Sequence, residues 1–122
     1  MNRCLVIDDS RVMRKVARAI LEDLQFDAAE AEDGDAALEY CRANMPELIL
    51  LDFDLPRTGG GMEFLRKLRR EREGKRPVVL FCTTDHDVSQ ISEALEAGAN
   101  EYVQKPFDRE ALKAKLAAVG LL

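Results

Sequence analysis

Three short apolar runs constrain the fold of this chain more than any other feature. They lie at residues 4–7, 48–51 and 78–82, and each is apolar at every position. A strand with one solvated face alternates apolar and polar residues, so uninterrupted runs indicate strands covered on both sides, as in a parallel sheet. Two weaker strand candidates lie at residues 27–32 and 101–103. The first of these is short and polar, which is typical of a sheet edge.

Segments with helical periodicity follow each of the five strand candidates. Apolar residues recur at three- and four-residue spacing after Ser10, a good N-cap, as far as Leu24. Similar patterns cover residues 34–44, 62–73, 87–97 and from about Asp108, a second N-cap candidate, to Val119. Strict alternation of strand and helix favours right-handed crossovers and helices on both faces of the sheet. We therefore predict a single doubly wound α/β domain, flavodoxin-like, with five helices and a five-stranded parallel sheet in the order 2-1-3-4-5.

Composition narrows the class of protein. The chain has 122 residues, 47% of them hydrophobic, which is enough for one core and one domain. A net charge of −5 disfavours direct nucleic-acid binding, which needs a basic face. No apolar stretch approaches the ~20 residues that span a bilayer, and acids near the N-terminus argue against a signal peptide, so we expect a cytoplasmic protein without membrane insertion. The three cysteines lack C-x-x-C spacing and are expected to be reduced, buried thiols.

Acidic residues follow the first and third strand candidates directly. Asp8 and Asp9 come after the first, and Asp52, with Asp54 two residues on, comes after the third. In the predicted order these strands are neighbours, so the carboxylates converge at one edge of the sheet. Their mutual repulsion requires a cation, and oxygen ligands suit Mg²⁺, with Mn²⁺ possible as well. The alternative is that these acids only cap helices or face water.

Two further polar residues are predicted at the same edge. Thr83 ends the fourth strand candidate, and Lys105 follows the fifth. A metal, a hydroxyl and an ammonium around a carboxylate would stabilise the oxygens of a phosphoryl group in transfer. Asp52 would then be the nucleophile, because an aspartate can form an acyl phosphate.

An ordered set of short motifs resembles a known family. The motifs are VIDDS at 6–10, LLDFDLP at 50–56, CTT at 82–84, AGANEY at 97–102 and KPF at 105–107. Together they resemble the receiver domain of two-component response regulators, in particular the stand-alone CheY-like chemotaxis type. The resemblance covers essentially the whole chain, which implies one receiver domain over residues 1–122 and no effector domain.

The resemblance assigns a role to each acid at the site. Asp52 would accept a phosphoryl group from a histidine kinase or a phosphotransfer protein. Asp8, Asp9 and the Asp52 carboxylate would hold Mg²⁺, with the backbone carbonyl of Asp54 as a further ligand. Such a protein is not an enzyme, because it assists only its own phosphorylation and dephosphorylation.

The resemblance also implies a switch. Thr83 would move towards the phosphoryl group, which Lys105 would bind, and Tyr102 would be the aromatic switch. The Lys105–Pro106 peptide would be cis. The altered surface would belong to the fourth helix, fifth strand and fifth helix, drawn from Ile91, Ala94, Leu95, Glu101, Tyr102, Gln104 and Leu112. A downstream protein target would read that surface, and the chain would be a monomer or a weak, activation-dependent dimer.

Two other functions stay open at the level of sequence. A degenerate receiver would bind partners independently of phosphorylation. The pattern Asp52–Phe53–Asp54 is also similar to the catalytic acids of haloacid-dehalogenase-type phosphatases, although that family's motif lies near the N-terminus and lacks the proline found here at Pro56.

Three further features lie outside the acid cluster. The loop after Asp52 is one residue longer than the family spacing, so either Gly60 or Gly61 fills the family's glycine position. We expect the glycine run from Gly59 to Gly61 to order around the metal. The basic stretch at residues 66–76 is interpreted as a solvated helix face. The sole histidine, His86, is interpreted as a surface residue.

Overall fold

Strands and helices alternate along the chain as the apolar runs predict. The computed structural model describes residues 2–55, 60–84 and 88–122, and five strands and five helices lie within those ranges. The strands are β1 (Asn2–Ile7), β2 (Phe26–Ala31), β3 (Leu48–Asp52), β4 (Val78–Thr83) and β5 (Glu101–Gln104). The helices are α1 (Arg11–Asp23), α2 (Gly34–Ala43), α3 (Gly60–Arg70), α4 (Val88–Ala97) and α5 (Arg109–Ala118). Two predictions concern residues outside these ranges: the ordering of Gly59 around the metal and the surface position of His86.

All strand pairs in the sheet are parallel, in the order β2-β1-β3-β4-β5. This order confirms the predicted flavodoxin-like fold and places the polar strand β2 at an edge. Every residue of the central strand β3 is buried. Because β1 and β3 are neighbours, Ile7 and Leu51 lie side by side at the ends of these strands.

Two apolar layers, one on each face of the sheet, explain why the strand sequences are apolar throughout. Alternate residues of the central strands point into each layer. One layer lies beneath α2, α3 and α4 and takes in Leu5, Ile7, Ile49, Leu51, Val79 and Phe81. The other lies beneath α1 and α5 and takes in Cys4, Val6, Leu48, Leu50, Leu80 and Cys82. The three cysteines are free and buried, as predicted.

Side-chain caps begin three of the helices. Ser10 Oγ accepts a hydrogen bond from the Met13 N–H at 3.2 Å, and Asp108 Oδ1 accepts one from the Ala111 N–H at 2.8 Å. Both caps were predicted. Asp33 caps α2 in the same way, through the Ala36 N–H. These caps satisfy N–H groups that have no partner within the helix.

The third helix ends earlier than its pattern predicts. Helical periodicity extends to residue 73, but α3 ends at Arg70. The Glu71 N–H bonds to the Leu68 carbonyl at 2.9 Å, which tightens the last turn, and Glu73 adopts a positive φ of 62°. The helix therefore ends three residues before the predicted boundary at residue 73.

Arg69 corrects the interpretation of residues 66–76 as a solvated face. Its guanidinium is half-buried and donates to the carbonyl oxygens of Gly98, Gly74 and Pro77 at 2.6–3.0 Å. The neighbouring basic side chains Arg66, Lys67 and Arg70 are exposed, as expected. Arg69 turns inward because it lies close to the α4–β5 loop, which contributes one of these carbonyls.

The Lys105–Pro106 peptide is cis. It follows β5, at the same edge of the sheet as the ends of β1 and β3. None of the helices in the described part of the chain combines the length and apolar character needed to cross a membrane.

Candidate functional site

Three of the four acids predicted to converge lie together. Asp8 and Asp9 follow β1, and Asp52 is the last residue of β3. One carboxylate oxygen from each of the three lies within 4.8 Å of the others. Asp8 and Asp52 are buried, whereas Asp9 is exposed. Three clustered oxygen donors with one open side suit a hard divalent cation, so the residues fit Mg²⁺.

Lys105 bridges two of these carboxylates. Its Nζ lies 2.7 Å from Asp8 Oδ2 and 3.2 Å from Asp52 Oδ1. Burial lowers the pKa of Lys105, but its bonds to Asp8 and Asp52 outweigh burial and raise the pKa above its usual value. The ammonium is therefore fully charged at neutral pH and offsets part of the negative charge at the site.

The pKa of the Asp52 carboxyl is also raised, but here the rise disfavours the charged form. Burial raises its pKa most, the charge of Lys105 lowers it, and the nearby Asp8 raises it again, with a net rise. A cation held by these acids would reverse that effect. The Asp54 N–H donates to Asp52 Oδ1 at 3.2 Å, which orients the carboxylate. The Asp54 side chain itself is exposed, so the predicted contribution of this residue concerns its backbone.

Asp8 is bonded at every polar atom of its backbone and carboxylate. Its N–H donates to the Ala31 carbonyl at 3.2 Å, and its own carbonyl accepts from Arg14 Nη1 at 2.8 Å. Its Oδ1 accepts from the Ser10 N–H at 2.9 Å, and its Oδ2 accepts from Lys105. The ligand geometry at Asp8 is therefore set by contacts from β2, α1 and the segment after β5.

Thr83 lies on β4, the strand next to Asp52, and Tyr102 lies on β5, one strand further out. Thr83 is buried at the end of β4, and its carbonyl accepts from the Lys105 N–H at 2.8 Å. Tyr102 is half-buried, with its ring centroid 6.0 Å from that of Phe81 and the Lys115 Nζ 4.6 Å from its centre. An aromatic side chain thus connects the interior of β4 with the α5 surface.

The predicted switch surface needs one correction. Ala94 and Leu112 are fully buried and cannot present a face to a partner. Both point from their helices towards the sheet, because they occupy the apolar positions of α4 and α5. Leu95 and Gln104 are exposed, and Ile91, Glu101 and Tyr102 are partly exposed.

Gly61 packs directly against the backbone of Asp52. A Cβ atom at this position would lie only 2.7 Å from the Asp52 carbonyl oxygen. Its N–H donates to the Phe53 carbonyl at 3.2 Å. The close approach requires glycine at this position, whereas Gly60 satisfies a positive φ of 70°. Residues 56–59 of the predicted longer loop, Gly59 among them, lie outside the described part of the chain.

The sequence patterns did not single out the polar cluster around Glu30. This carboxylate accepts from Arg14 Nε at 3.1 Å, Lys15 Nζ at 2.8 Å and Arg18 Nη1 at 3.1 Å. The hydrogen bond from Lys15 contributes most to lowering the pKa of Glu30 to about 2; burial opposes it, and Arg18 and Arg14 add to it. The only local signal was three bases on one helix face facing an acid in a polar edge strand.

Comparisons with known proteins agree with this geometry. Residues 4–117 match the response regulator receiver domain family. Chemotaxis protein CheY of Pseudomonas aeruginosa is 36% identical over 115 residues, which cover 93% of this chain and 92% of that protein. The phosphate regulon transcriptional regulatory protein PhoB of Escherichia coli is also 36% identical, over 96% of this chain. The chain spans only 51% of the length of PhoB.

The solved structures show the same relationship. The structure of Vibrio cholerae chemotaxis protein CheY4 crystallised at low pH superimposes with a TM-score of 0.92 and 28% identity, covering 98% of both chains. A response regulator from Clostridium difficile gives a TM-score of 0.88 at 24% identity, a likeness of fold alone. The family match, the CheY relative and the five-stranded fold together show that this chain belongs to the response regulator receiver family and is CheY-like.

Proposed function

We propose that this chain is a response regulator receiver that accepts a phosphoryl group on Asp52 from a histidine kinase or a phosphotransfer protein. One observation carries the proposal: the buried Asp52 carboxylate lies beside Asp8, Asp9 and the Lys105 ammonium at the ends of two central strands. Membership of the receiver family supports it.

In the proposed reaction, an oxygen of Asp52 attacks the phosphorus of a phosphohistidine. A P–O bond forms, the P–N bond breaks, and the imidazole retains the bonding electron pair. Asp8, Asp9, Asp52 and the Asp54 carbonyl would hold Mg²⁺ or Mn²⁺, which when bound offsets the negative charge of the phosphoryl oxygens. Lys105 already contacts Asp52, so its ammonium can follow the charge onto the new oxygens.

The same proposal includes the output. Phosphorylation adds about −1.5 to −2 charges beside the end of β4. The Thr83 hydroxyl would donate to a phosphoryl oxygen, and Tyr102 would occupy the space that Thr83 leaves. The populations of two conformations would shift, changing the exposed parts of α4, β5 and α5 for a downstream protein target.

The setting is part of the proposal. We propose that residues 1–122 act as a receiver domain, in the cytoplasm, as a monomer or a weak activation-dependent dimer. The chain would contact proteins and not nucleic acid directly. The CheY relatives are chemotaxis proteins, and chemotaxis is the pathway we extend to this chain.

The two other functions are less well supported. A degenerate receiver has no need of a lysine bonded to both its acids, and Lys105 makes both contacts here. A haloacid-dehalogenase-type phosphatase is disfavoured by the receiver family match over residues 4–117.

Acetyl phosphate tests the proposal directly. With Mg²⁺, wild-type protein should gain the mass of one phosphoryl group, and hydroxylamine should remove it as expected of an acyl phosphate. Asp52→Asn should gain none, and chelation of Mg²⁺ should prevent the gain in wild type. Asp54→Asn is the matched control, because it changes an exposed acid two residues away and leaves its backbone carbonyl in place. Phosphorylation of Asp52→Asn, or none in folded wild type, would contradict the proposal.

A further inference from the structure

We propose that Arg14 is a positioning residue for the acid cluster: its guanidinium fixes the backbone of Asp8, and Glu30 on β2 fixes Arg14. The inference rests on the proposed function, because its consequence concerns the site that holds the metal and the phosphoryl group. Arg14 would touch neither of those groups.

The geometry of Arg14 is that of a bridge. Its Nη1 donates to the Asp8 carbonyl at 2.8 Å, while its Nε donates to Glu30 Oε1 at 3.1 Å. Its side chain is only 14% exposed, although it belongs to the first helix at the molecular surface. The planar guanidinium fork allows two donors to be held in fixed directions at once, which a lysine cannot reproduce.

Three basic side chains contact the Glu30 carboxylate, so it does not depend on Arg14 for an ion pair. Lys15 and Arg18 both contact its Oε2, so the carboxylate would remain paired without Arg14. Of these three bases on α1, only Arg14 also bonds to Asp8, through the Asp8 backbone carbonyl. The distinctive role of Arg14 in this cluster is therefore to connect Asp8 with the edge strand.

The bridge completes the restraint on Asp8. The Asp8 N–H is held by the Ala31 carbonyl, next to Glu30 on β2, and the Asp8 carbonyl is held by Arg14. With the backbone fixed on both sides, the Asp8 carboxylate is directed towards Asp52 and Lys105. Groups that orient a metal ligand without contacting the metal commonly change affinity by about 10- to 100-fold when they are removed.

Charge alone predicts the opposite result. The Arg14 guanidinium, bonded to the Asp8 carbonyl, repels a divalent cation at the acid cluster, so its removal would tighten Mg²⁺ binding if Arg14 acted only through its charge. If Arg14 acts by positioning Asp8, its removal weakens binding. The sign of the change in affinity therefore distinguishes the two roles.

Arg14→Gln and Arg18→Gln form a matched pair. Each removes one positive charge and one contact with Glu30, but only the first loses the bond to Asp8. Mg²⁺ affinity would be measured on unphosphorylated protein by titrating the amide NMR shifts of residues 8–10. We expect Kd to rise about tenfold in Arg14→Gln and to change by roughly twofold or less in Arg18→Gln. Equal changes in the two variants, or tighter binding by Arg14→Gln, would overturn the inference.

Two further measurements keep the outcome decisive. In metal-free protein the Ser10 amide, which donates to Asp8 Oδ1, should shift in Arg14→Gln and not in Arg18→Gln; equal shifts would overturn the inference. If wild-type protein ignores Mg²⁺, the proposed metal role fails, and the Ser10 comparison still decides the role of Arg14. Arg14→Lys preserves charge and serves if Arg14→Gln does not fold. Weakened Mg²⁺ binding supports positioning, and wild-type affinity contradicts it.

Discussion

Glu30 shows how one side chain on an edge strand can collect positive charge from a whole helix face. Three bases on the same side of α1 each place a donor within 3.1 Å of the carboxylate. They are Arg14, Lys15 and Arg18. Only 13% of the Glu30 side chain is exposed. The pairing is therefore less screened by water than an ordinary surface ion pair.

The low pKa of Glu30 predicts a pH-dependent contribution to stability. The pKa falls from 4.5 to about 2 in the folded protein. The contribution is therefore complete above about pH 4.5 and is lost as the pH falls towards about 2. Allowing for solvent screening, Glu30→Gln should lower the free energy of unfolding by about 1–2 kcal/mol at neutral pH.

Urea unfolding as a function of pH measures this effect. The difference between wild type and Glu30→Gln should narrow as the pH falls through that interval. Glu110→Gln, whose side chain is 76% exposed, is the control and should show a much smaller difference. A constant difference across the pH range would exclude a charge-based role for Glu30.

At the scale of elements, one side chain connects the end of α3 to two neighbouring loops. Arg69 bonds to Gly74 and Pro77 in the α3–β4 loop and to Gly98 in the α4–β5 loop. It also contacts the Asn100 side chain, whose Oδ1 accepts from the Val79 N–H at 2.8 Å. The contact joins α3, β4 and α4 at the end of the sheet opposite to the acid cluster.

Loss of this connection should destabilise the fold without changing the site. Arg69→Met leaves several carbonyl groups without a donor in a half-buried position, so we expect a loss of about 2 kcal/mol in the free energy of unfolding. Arg70→Met is the matched control. That side chain is exposed and makes a 3.3 Å bond to the Arg66 carbonyl, so its loss should cost about 0.5 kcal/mol or less. Equal losses in urea unfolding would show that the carbonyl contacts of Arg69 contribute little.

At the scale of the whole molecule, the acid cluster couples stability to ligand binding. Asp8, Asp9 and Asp52 repel one another, and Lys105 offsets part of that repulsion. A cation that binds only the folded state adds stability according to its concentration, about 2.7 kcal/mol at a hundredfold excess over Kd. We therefore expect the metal-free protein to be less stable than the metal-bound protein.

The Asp9→Asn substitution should change the melting temperature in opposite directions without and with bound metal. In the presence of a chelator, the variant should melt at a higher temperature than wild type, because one repulsive charge is gone. With saturating Mg²⁺ the order should invert, since the variant loses a ligand. Asp27→Asn, an exposed acid on β2 remote from the cluster, should show no such inversion. A wild-type melting curve unchanged by Mg²⁺ would contradict both this prediction and the expected ordering of the glycine loop.

The sequence alone determined the class of fold and the location of the site. Apolar runs at residues 4–7, 48–51 and 78–82 indicate strands covered on both faces, and the alternating helical segments provide that cover above and below a parallel sheet. The strand order then brings residues that follow β1 and β3 together, so the convergence of Asp8, Asp9 and Asp52 was predictable. The N-caps Ser10 and Asp108 could also be predicted from the sequence, because each cap bonds to an N–H group three residues further along the chain.

Only the tertiary structure decided which polar side chains work in pairs. Arg14 and Glu30 are 16 residues apart, and Arg69 and Gly98 are 29 apart, so no local pattern relates them. The early end of α3, the close contact of Gly61 with Asp52 and the burial of Ala94 and Leu112 also depend on neighbours from other elements. Periodicity reports which face of a segment is apolar, whereas the partner of a charged side chain is set by how the elements pack.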